Sequence, residues 1–532
     1  MLVFGVVVVV TLIATVILGT VLGSRYSVAP PVLLIVFGAL LGLIPRFGGI
    51  RLDGQIVLLL FLPAILYWES LNISLREVRV NLRTIVLRSV VLVIVTAATV
   101  SLTAQALGVN SHAAWVLGAV LAPTDAAAVA GLAKRLPRRT LTTLRAESII
   151  NDGTALVLFA ITVSVATGGT ALSPAALVGR FVGSYAGGIA AGLLVGMAVT
   201  LLRRRLDSPL EEGALSVLTP FAAFLLAQSI HTSGVVAVLV AGLVLTYSGP
   251  RVIRARSRIQ AYAFWDLATF LINGSLFVFV GVQIPGAIRA IAGVKGGLWH
   301  AVIVALAVTG VVVATRIAWS EITTVLIRAV DRRAVQRARR LGWRQRAVNS
   351  WAGFRGAVSL AAALAVPTTT NTGAPFPDRN LIVFVTTVVI VLTVLVQGST
   401  LAAVVRWARV PEDSARADEL HLARSHSAAA ALDALPAVAA GLGVDDKLLD
   451  RLRKEYEDRA AVVQASEDGA EDTTAADIED LVRRVRLGVL DHKRRAVTEL
   501  RDQNRIDDIV LREVQSAMDN EEVRLLGPAD TA

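Results

Sequence analysis

The sequence predicts an all-α integral membrane protein of about 13 transmembrane helices, with inverted repeats and two broken, crossing helices, followed by a helical cytoplasmic tail. Three observations carry this. The 532 residues are 55% hydrophobic and only 17% charged, with a mean hydropathy of +0.65, far from the averages of soluble domains. Apolar runs of about 18 residues or more recur from Met1 to about Leu401, each long enough to cross a hydrocarbon core of about 30 Å. After about Trp407 the runs shorten to helix-stripe spacing and charges become dense.

The spans are expected near residues 12, 37, 63, 96, 123, 156, 188, 220, 240, 271, 312, 360 and 391. The first begins at Met1 with no basic segment before it and reads as a retained helix rather than a cleaved leader. With the N-terminus outside, the inner loops collect Arg25, Arg76, Arg79, Arg83, Lys134, Arg135, Arg138, Arg139, Arg203 to Arg205, Arg251 to Arg258 and the cluster Arg328 to Arg346. About two dozen basic residues then lie inside against about half a dozen outside, which sets the orientation and places the C-terminus in the cytoplasm. This topology accounts for the net charge of +11; no basic segment is interleaved with aromatics in the manner of a nucleic-acid surface. The absence of cysteine excludes thiol chemistry and disulfides, and no cofactor motif is present; in particular no phosphate-binding Gly-Lys-Ser/Thr loop suggests ATP-driven work.

Two domains follow: residues 1–407 in the membrane and 408–532 as a soluble, possible regulatory tail. The tail carries amphipathic patterns near 414–440, 446–464, 474–500 and 505–524, with an acidic linker at Glu467 to Thr474. Its excess of roughly ten acids opposes the basic inner loops, so docking on them and a simple solvated module are both open.

Ionisable groups inside spans are few: Glu69, Asp125, Glu147, Asp152, Asp266 and Glu321, with Arg316 and Arg355. Each costs at least about 2.5 kcal/mol to insert and so demands a partner or a role. In Glu147-Ser-Ile-Ile-Asn-Asp152 the helical repeat stacks Ser148 over Asp152 and Glu147 over Asn151. A hydroxyl and a carboxylate thus point together, the oxygen chemistry that hard cations require. The preceding span contains Pro123-Thr-Asp125, where Pro123 breaks the ladder, frees carbonyls and opens a following half-helix whose positive end attracts Asp125. A second interruption, Gly353-Phe-Arg355-Gly356, lies in the other half; paired breaks of this kind mark inverted-repeat transporters, with Asp125 and Arg355 neutralising opposite helix ends. Capping alone is the competing role for Asp125. Glu69, near a helix end, reads as a cap or snorkelling group, and His112 and His231 as interface residues.

Pro123-Thr-Asp125, Glu147-Ser-Ile-Ile-Asn-Asp-Gly153, Gly353-Phe-Arg-Gly356 with Ser359, and Gln397-Gly398 resemble the monovalent cation:proton antiporter family 1, which includes NhaP-type antiporters and the eukaryotic Na+/H+ exchangers. Leu62-Pro63 with Glu69, and Asn273 with Phe277 and Gly281, are weaker matches. The resemblance implies a mobile core beside a dimerisation domain, hence a homodimer in the plasma membrane, working by alternating access. By position it implies Asp152 as the carrier of ion and proton, with Asp125, Ser148 and the Thr124 carbonyl completing the cation site. It implies an arginine holding Glu147, taken as Arg316 with Arg355 as second candidate, and Asn151 supporting Asp125 or the broken helix. Asp266 where glutamate is expected and Ala126 where proline is common are departures away from the ligands.

Proton and cation compete for the Asp152 oxygens, which couples their fluxes, and Asn151 beside it cannot titrate. One exchangeable proton predicts electroneutral exchange of sodium, or of lithium or potassium, for H+. The Glu147–arginine pair is read as structural. A channel, an intramembrane enzyme using Asp125 and Asp152, and a sensor acting through the tail are the alternatives.

Overall fold

The computed structural model describes residues 2–48 apart from 27, 54–75 with short gaps, 85–125, 138–168, 173–291, 297–330, 342–409, 414–465 and, with gaps, 483–526. Two compact units emerge, Met1–Pro411 and Glu412–Ala532. Among the described residues there is no strand, only one isolated bridge between Thr369 and Pro375.

The first unit runs through α1 (Leu2–Tyr26), α2 (Pro30–Leu43), α3 (Leu62–Leu71), α4 (Leu92–Ala106), α5 (Ser111–Leu121), α6 (Arg138–Ala166) and α7 (Pro174–Arg203). It continues with α8 (Pro209–Ser229), α9 (Gly234–Val252), α10 (Ala255–Ile291), α11 (Gly297–Val330), α12 (Trp343–Trp351), α13 (Ala357–Leu364), α14 (Arg379–Leu392) and α15 (Gly398–Ala408). Wider π turns feed α3 and α4 and join α14 to α15. Among the described residues nine helices are long and apolar enough to span a bilayer, and Pro30–Leu43, Val57–Leu71 and Ser111–Leu121 are shorter apolar helices. The span expected near residue 360 is split into α12 and α13.

Local chemistry sets the ends that matter for the site. The side chain of Asn110 caps α5, accepting from the backbone N–H groups of His112 at 2.9 Å and Ala113 at 3.4 Å. Pro123 follows the last turn of α5, and the chain runs unwound through Asp125. The half-helix expected beyond it, with Ala126, Lys134 and Arg135, lies outside the described residues. Arg76, Arg79, Arg83 and most of the basic cluster between Arg328 and Arg346 do too. On the other side, α12 stops at Trp351 and α13 starts at Ala357, leaving Ala352–Gly356 unwound.

The two largest apolar clusters hold most of the helices. One joins α4, α5, α11, α13 and α14 through residues such as Val116, Leu117, Val308 and Val385. The other joins α3, α7, α8 and α9 around Tyr67, Phe224, Ala237 and Trp265. The helix pair α2–α10 packs backbone to backbone. A Cβ on Gly38 would lie 2.1 Å from the Val278 carbonyl oxygen, and one on Gly281 would lie 2.1 Å from that of Ile35. In a bilayer, where lipid tails are as apolar as side chains, such close approach is a main source of helix association.

The second unit contains α16 (Ser414–Leu442), α17 (Asp446–Ala465) and α18 (Asp508–Leu526). The acidic linker Glu467 to Thr474 lies wholly outside the described residues, as does about half of the amphipathic segment that follows it. Lys493 reaches Glu521 at 3.4 Å, an exposed pair of small energetic weight.

Candidate functional site

The two unwound segments meet. The backbone N–H of Asp125 donates to the carbonyl of Phe354 at 2.9 Å, so one break is tied directly to the other. Arg355 is buried and turns its Nη1 to the carbonyls of Ala122, at 3.0 Å, and Pro123, at 2.5 Å. Those carbonyls are freed where α5 ends, and a guanidinium there neutralises the negative end of the helix. The backbone N–H of Arg355 is held by Thr393 Oγ1 at 3.3 Å, at the π turn between α14 and α15.

α6 presents the remaining groups. Ser148 Oγ donates to the Thr124 carbonyl at 2.7 Å. Asn151 faces the Thr124 hydroxyl at 2.9 Å; with its amide oxygen accepting that bond, its nitrogen donates to the carbonyls of Glu147 at 3.1 Å and Ser89 at 3.0 Å. Asn151 therefore fastens the unwound segment to α6, and Ser148 fastens it a second time. One turn along, Asp152 is buried and lines a cavity of about 20 Å³ together with Glu69, Thr124, Asp125, Ser148, Asn273 and Ser359. That volume admits one water-sized body. Its walls offer carboxylate, hydroxyl and carbonyl oxygens and no nitrogen or sulfur ligand cluster, a donor set suited to a hard monovalent cation.

Glu147 does not enter this cavity. Its Oε1 meets Arg316 Nη1 at 2.8 Å, with both side chains buried, while Arg316 Nη2 also reaches the Asn349 carbonyl at 3.4 Å. Of the two candidate arginines, Arg316 thus holds Glu147 and Arg355 holds the broken helix. Glu321 pairs with Arg346 through two parallel contacts of 2.8 and 3.1 Å, away from the cavity. Asp266 is exposed on α10 and lines no part of it. His112 and His231 sit exposed at helix ends.

Sequence reasoning missed Glu69. The sequence pattern suits a cap or interface group, whereas Glu69 lines the same cavity as Asp125 and Asp152. The available signal was spacing: Ile65 and Glu69, four residues apart on α3, share the cavity-facing side. Asn273 and Ser359 line it as well, although the motif matches alone gave them no task.

Gly356 is the tightest point. A Cβ there would lie 1.7 Å from Asp125 Oδ2, so any side chain displaces the carboxylate. Gly356→Ala is expected to lose at least about tenfold in transport rate, because misplacing a functional group by an ångström is sufficient for such losses. Gly153→Ala, beside Asp152 but with its nearest neighbour at 3.5 Å, is expected to stay near the parent. Equal rates for both variants in vesicles would contradict this geometry.

The family described as "Sodium/hydrogen exchanger, transmembrane" matches residues 8–407. Over 531 residues the chain is 72% identical to a protein described as an uncharacterized Na(+)/H(+) exchanger from Mycobacterium tuberculosis, covering 99% of this chain and 98% of the relative. It is 28% identical over 362 residues to the Na(+)/H(+) antiporter ApNhaP of Aphanothece halophytica, covering 67% and 65% of the two chains. Among solved structures, the sodium proton antiporter MjNhaP1 from Methanocaldococcus jannaschii shares the fold, with a TM-score of 0.57 at 19% identity over 75% of this chain and 98% of that one.

Proposed function

The chain belongs to the sodium/hydrogen exchanger family, a family of multi-pass membrane transporters rather than enzymes, and from that premise we propose that it exchanges a monovalent cation, sodium first, for a proton, electroneutrally, at Asp152. The observation that carries this reading is the convergence of Asp152, Asp125, Ser148 and Thr124 on one cavity where the two unwound segments meet. The cation takes the two carboxylates, the serine hydroxyl and the Thr124 carbonyl as ligands. The proton takes an Asp152 oxygen instead, and the two exclude each other. Glu147 with Arg316, Asn151 and Arg355 keep the segments in place without touching the cargo.

Residues 1–407 form the exchanger and 408–532 a cytoplasmic regulatory tail, with the N-terminus outside a plasma membrane and the protein working as a homodimer in the bilayer. An inward sodium gradient on proteoliposomes is expected to alkalinise the lumen, read with an internal pH dye, and lithium and potassium tested alongside rank the cations. Moving one charge across 100 mV is worth about 2.3 kcal/mol. A voltage imposed with sodium and pH equal on both sides is nevertheless expected to leave the internal pH unchanged. Sustained voltage-driven proton flux would exclude one-for-one exchange.

A further inference from the structure

A second cavity, of about 100 Å³, lies where α7 and α9 end and α10 begins. Tyr67, Ser216, Tyr262 and Trp265 wall it, Arg203 and Arg258 both contribute to it, and no carboxylate lines it. Arg203 is only 4% exposed. Its Nε is buried without a hydrogen-bond partner, and its guanidinium makes no ion pair among the described residues. The nearest acid along the chain, Asp207, is engaged instead by Arg254, which also donates to the Asp207 carbonyl at 2.9 Å. Glu212, buried on α8, is not among the lining residues.

An uncompensated guanidinium in a membrane protein's interior is expensive, and such groups are found with a counter-charge. Tyr67, Ser216 and Trp265 bring hydroxyl and indole N–H groups to the cavity. Trp265 Nε1 donates to Ser216 Oγ at 3.1 Å, and Tyr67 Oη lies 3.4 Å from the same oxygen. We infer that this cavity binds a phosphate-type oxyanion, held by Arg203 at its back and by the exposed Arg258 at its mouth. The planar guanidinium fork matches such an anion in two parallel hydrogen bonds. The volume takes a phosphate group but not a lipid, so a phospholipid enters with its headgroup alone and keeps its chains outside. The bound anion joins the ends of α7, α9 and α10.

Thermal unfolding of the full-length protein, followed by tryptophan fluorescence, tests it. One arm adds inorganic phosphate against chloride at matched ionic strength; the other adds phosphatidylglycerol against phosphatidylcholine in mixed micelles. The midpoint is expected to rise in the first arm for a free phosphate, or in the second alone for a headgroup. It is expected to rise equally in Arg204→Gln, whose side chain is exposed and outside the cavity. Arg203→Gln is expected to lose the shift. Arg258→Gln, at an exposed position that does not threaten folding, is expected to bind about tenfold more weakly, the loss of one charged hydrogen bond. A midpoint indifferent to both probes, one raised as much by chloride, or a shift unchanged in Arg258→Gln overturns the inference.

Discussion

Asp152→Asn is expected to abolish sodium-evoked proton movement while the protein folds and inserts as before. Asparagine keeps the size of the side chain and its place against the cavity, so packing around α6 is conserved. What disappears is the charge. Two unit charges 4 Å apart attract by about 4 kcal/mol at an effective dielectric of about 20, which corresponds to almost three orders of magnitude in cation affinity. The amide also cannot hold the proton that makes the return trip. In the parent, competition at one carboxylate raises the half-saturating sodium concentration by about tenfold for each unit that the pH falls through the range where the site is protonated, and the dependence fades at higher pH. The test is a sodium titration at several pH values in proteoliposomes of parent and variant. Proton movement that survives in the variant, or a parent whose sodium requirement ignores pH, would remove Asp152 from the centre of the mechanism.

Breaking the Glu147–Arg316 pair has the second largest expected effect, and it falls on stability. Both side chains are less than a tenth exposed, at 6% and 7%, and their contact is 2.8 Å. Removing either partner strands a buried charge, at about 3–5 kcal/mol. Glu147→Ala and Arg316→Ala are therefore each expected to lower the unfolding midpoint sharply and reduce the amount of inserted protein. Glu147→Leu combined with Arg316→Met removes both charges and fills the space, and is expected to recover much of the loss. A thermal-unfolding cycle over the single and double variants measures the coupling. Single variants as stable as the parent would show that the pair carries no structural load. If the double variant still exchanges cations, the pair is outside the transport chemistry; a stable but inactive double variant would place it inside.

Much of the site was legible because its elements announce themselves locally. Pro123 cannot continue a helix, so the break before Asp125 is written into one residue. The four-residue stacking of Ser148 on Asp152 follows from helix geometry, and both line the cavity. What depends on how helices cross was not legible. Arg316 and Arg355 are both buried arginines late in the chain, and only the crossing shows that one faces Glu147 and the other the carbonyls at 122 and 123. Glu69 was obscured for a related reason. α3 is apolar on nearly every side, so its pattern does not mark which face meets α6. Asp266, expected to stand away from the ligands, lies on the exposed surface of α10 and outside the cavity lining.

The bond from Asp125 to Phe354 and the grip of Arg355 on the end of α5 fasten the two unwound segments to one another. For the exchange proposed above, a cradle braced in this way is expected to keep its shape whichever side of the membrane it opens to. Its grip on the cargo is then the same on both sides, and nothing in it favours import over export. Such a device is a reversible gear rather than a ratchet: it turns until the two concentration ratios match, and the cell chooses the direction by choosing which gradient to maintain.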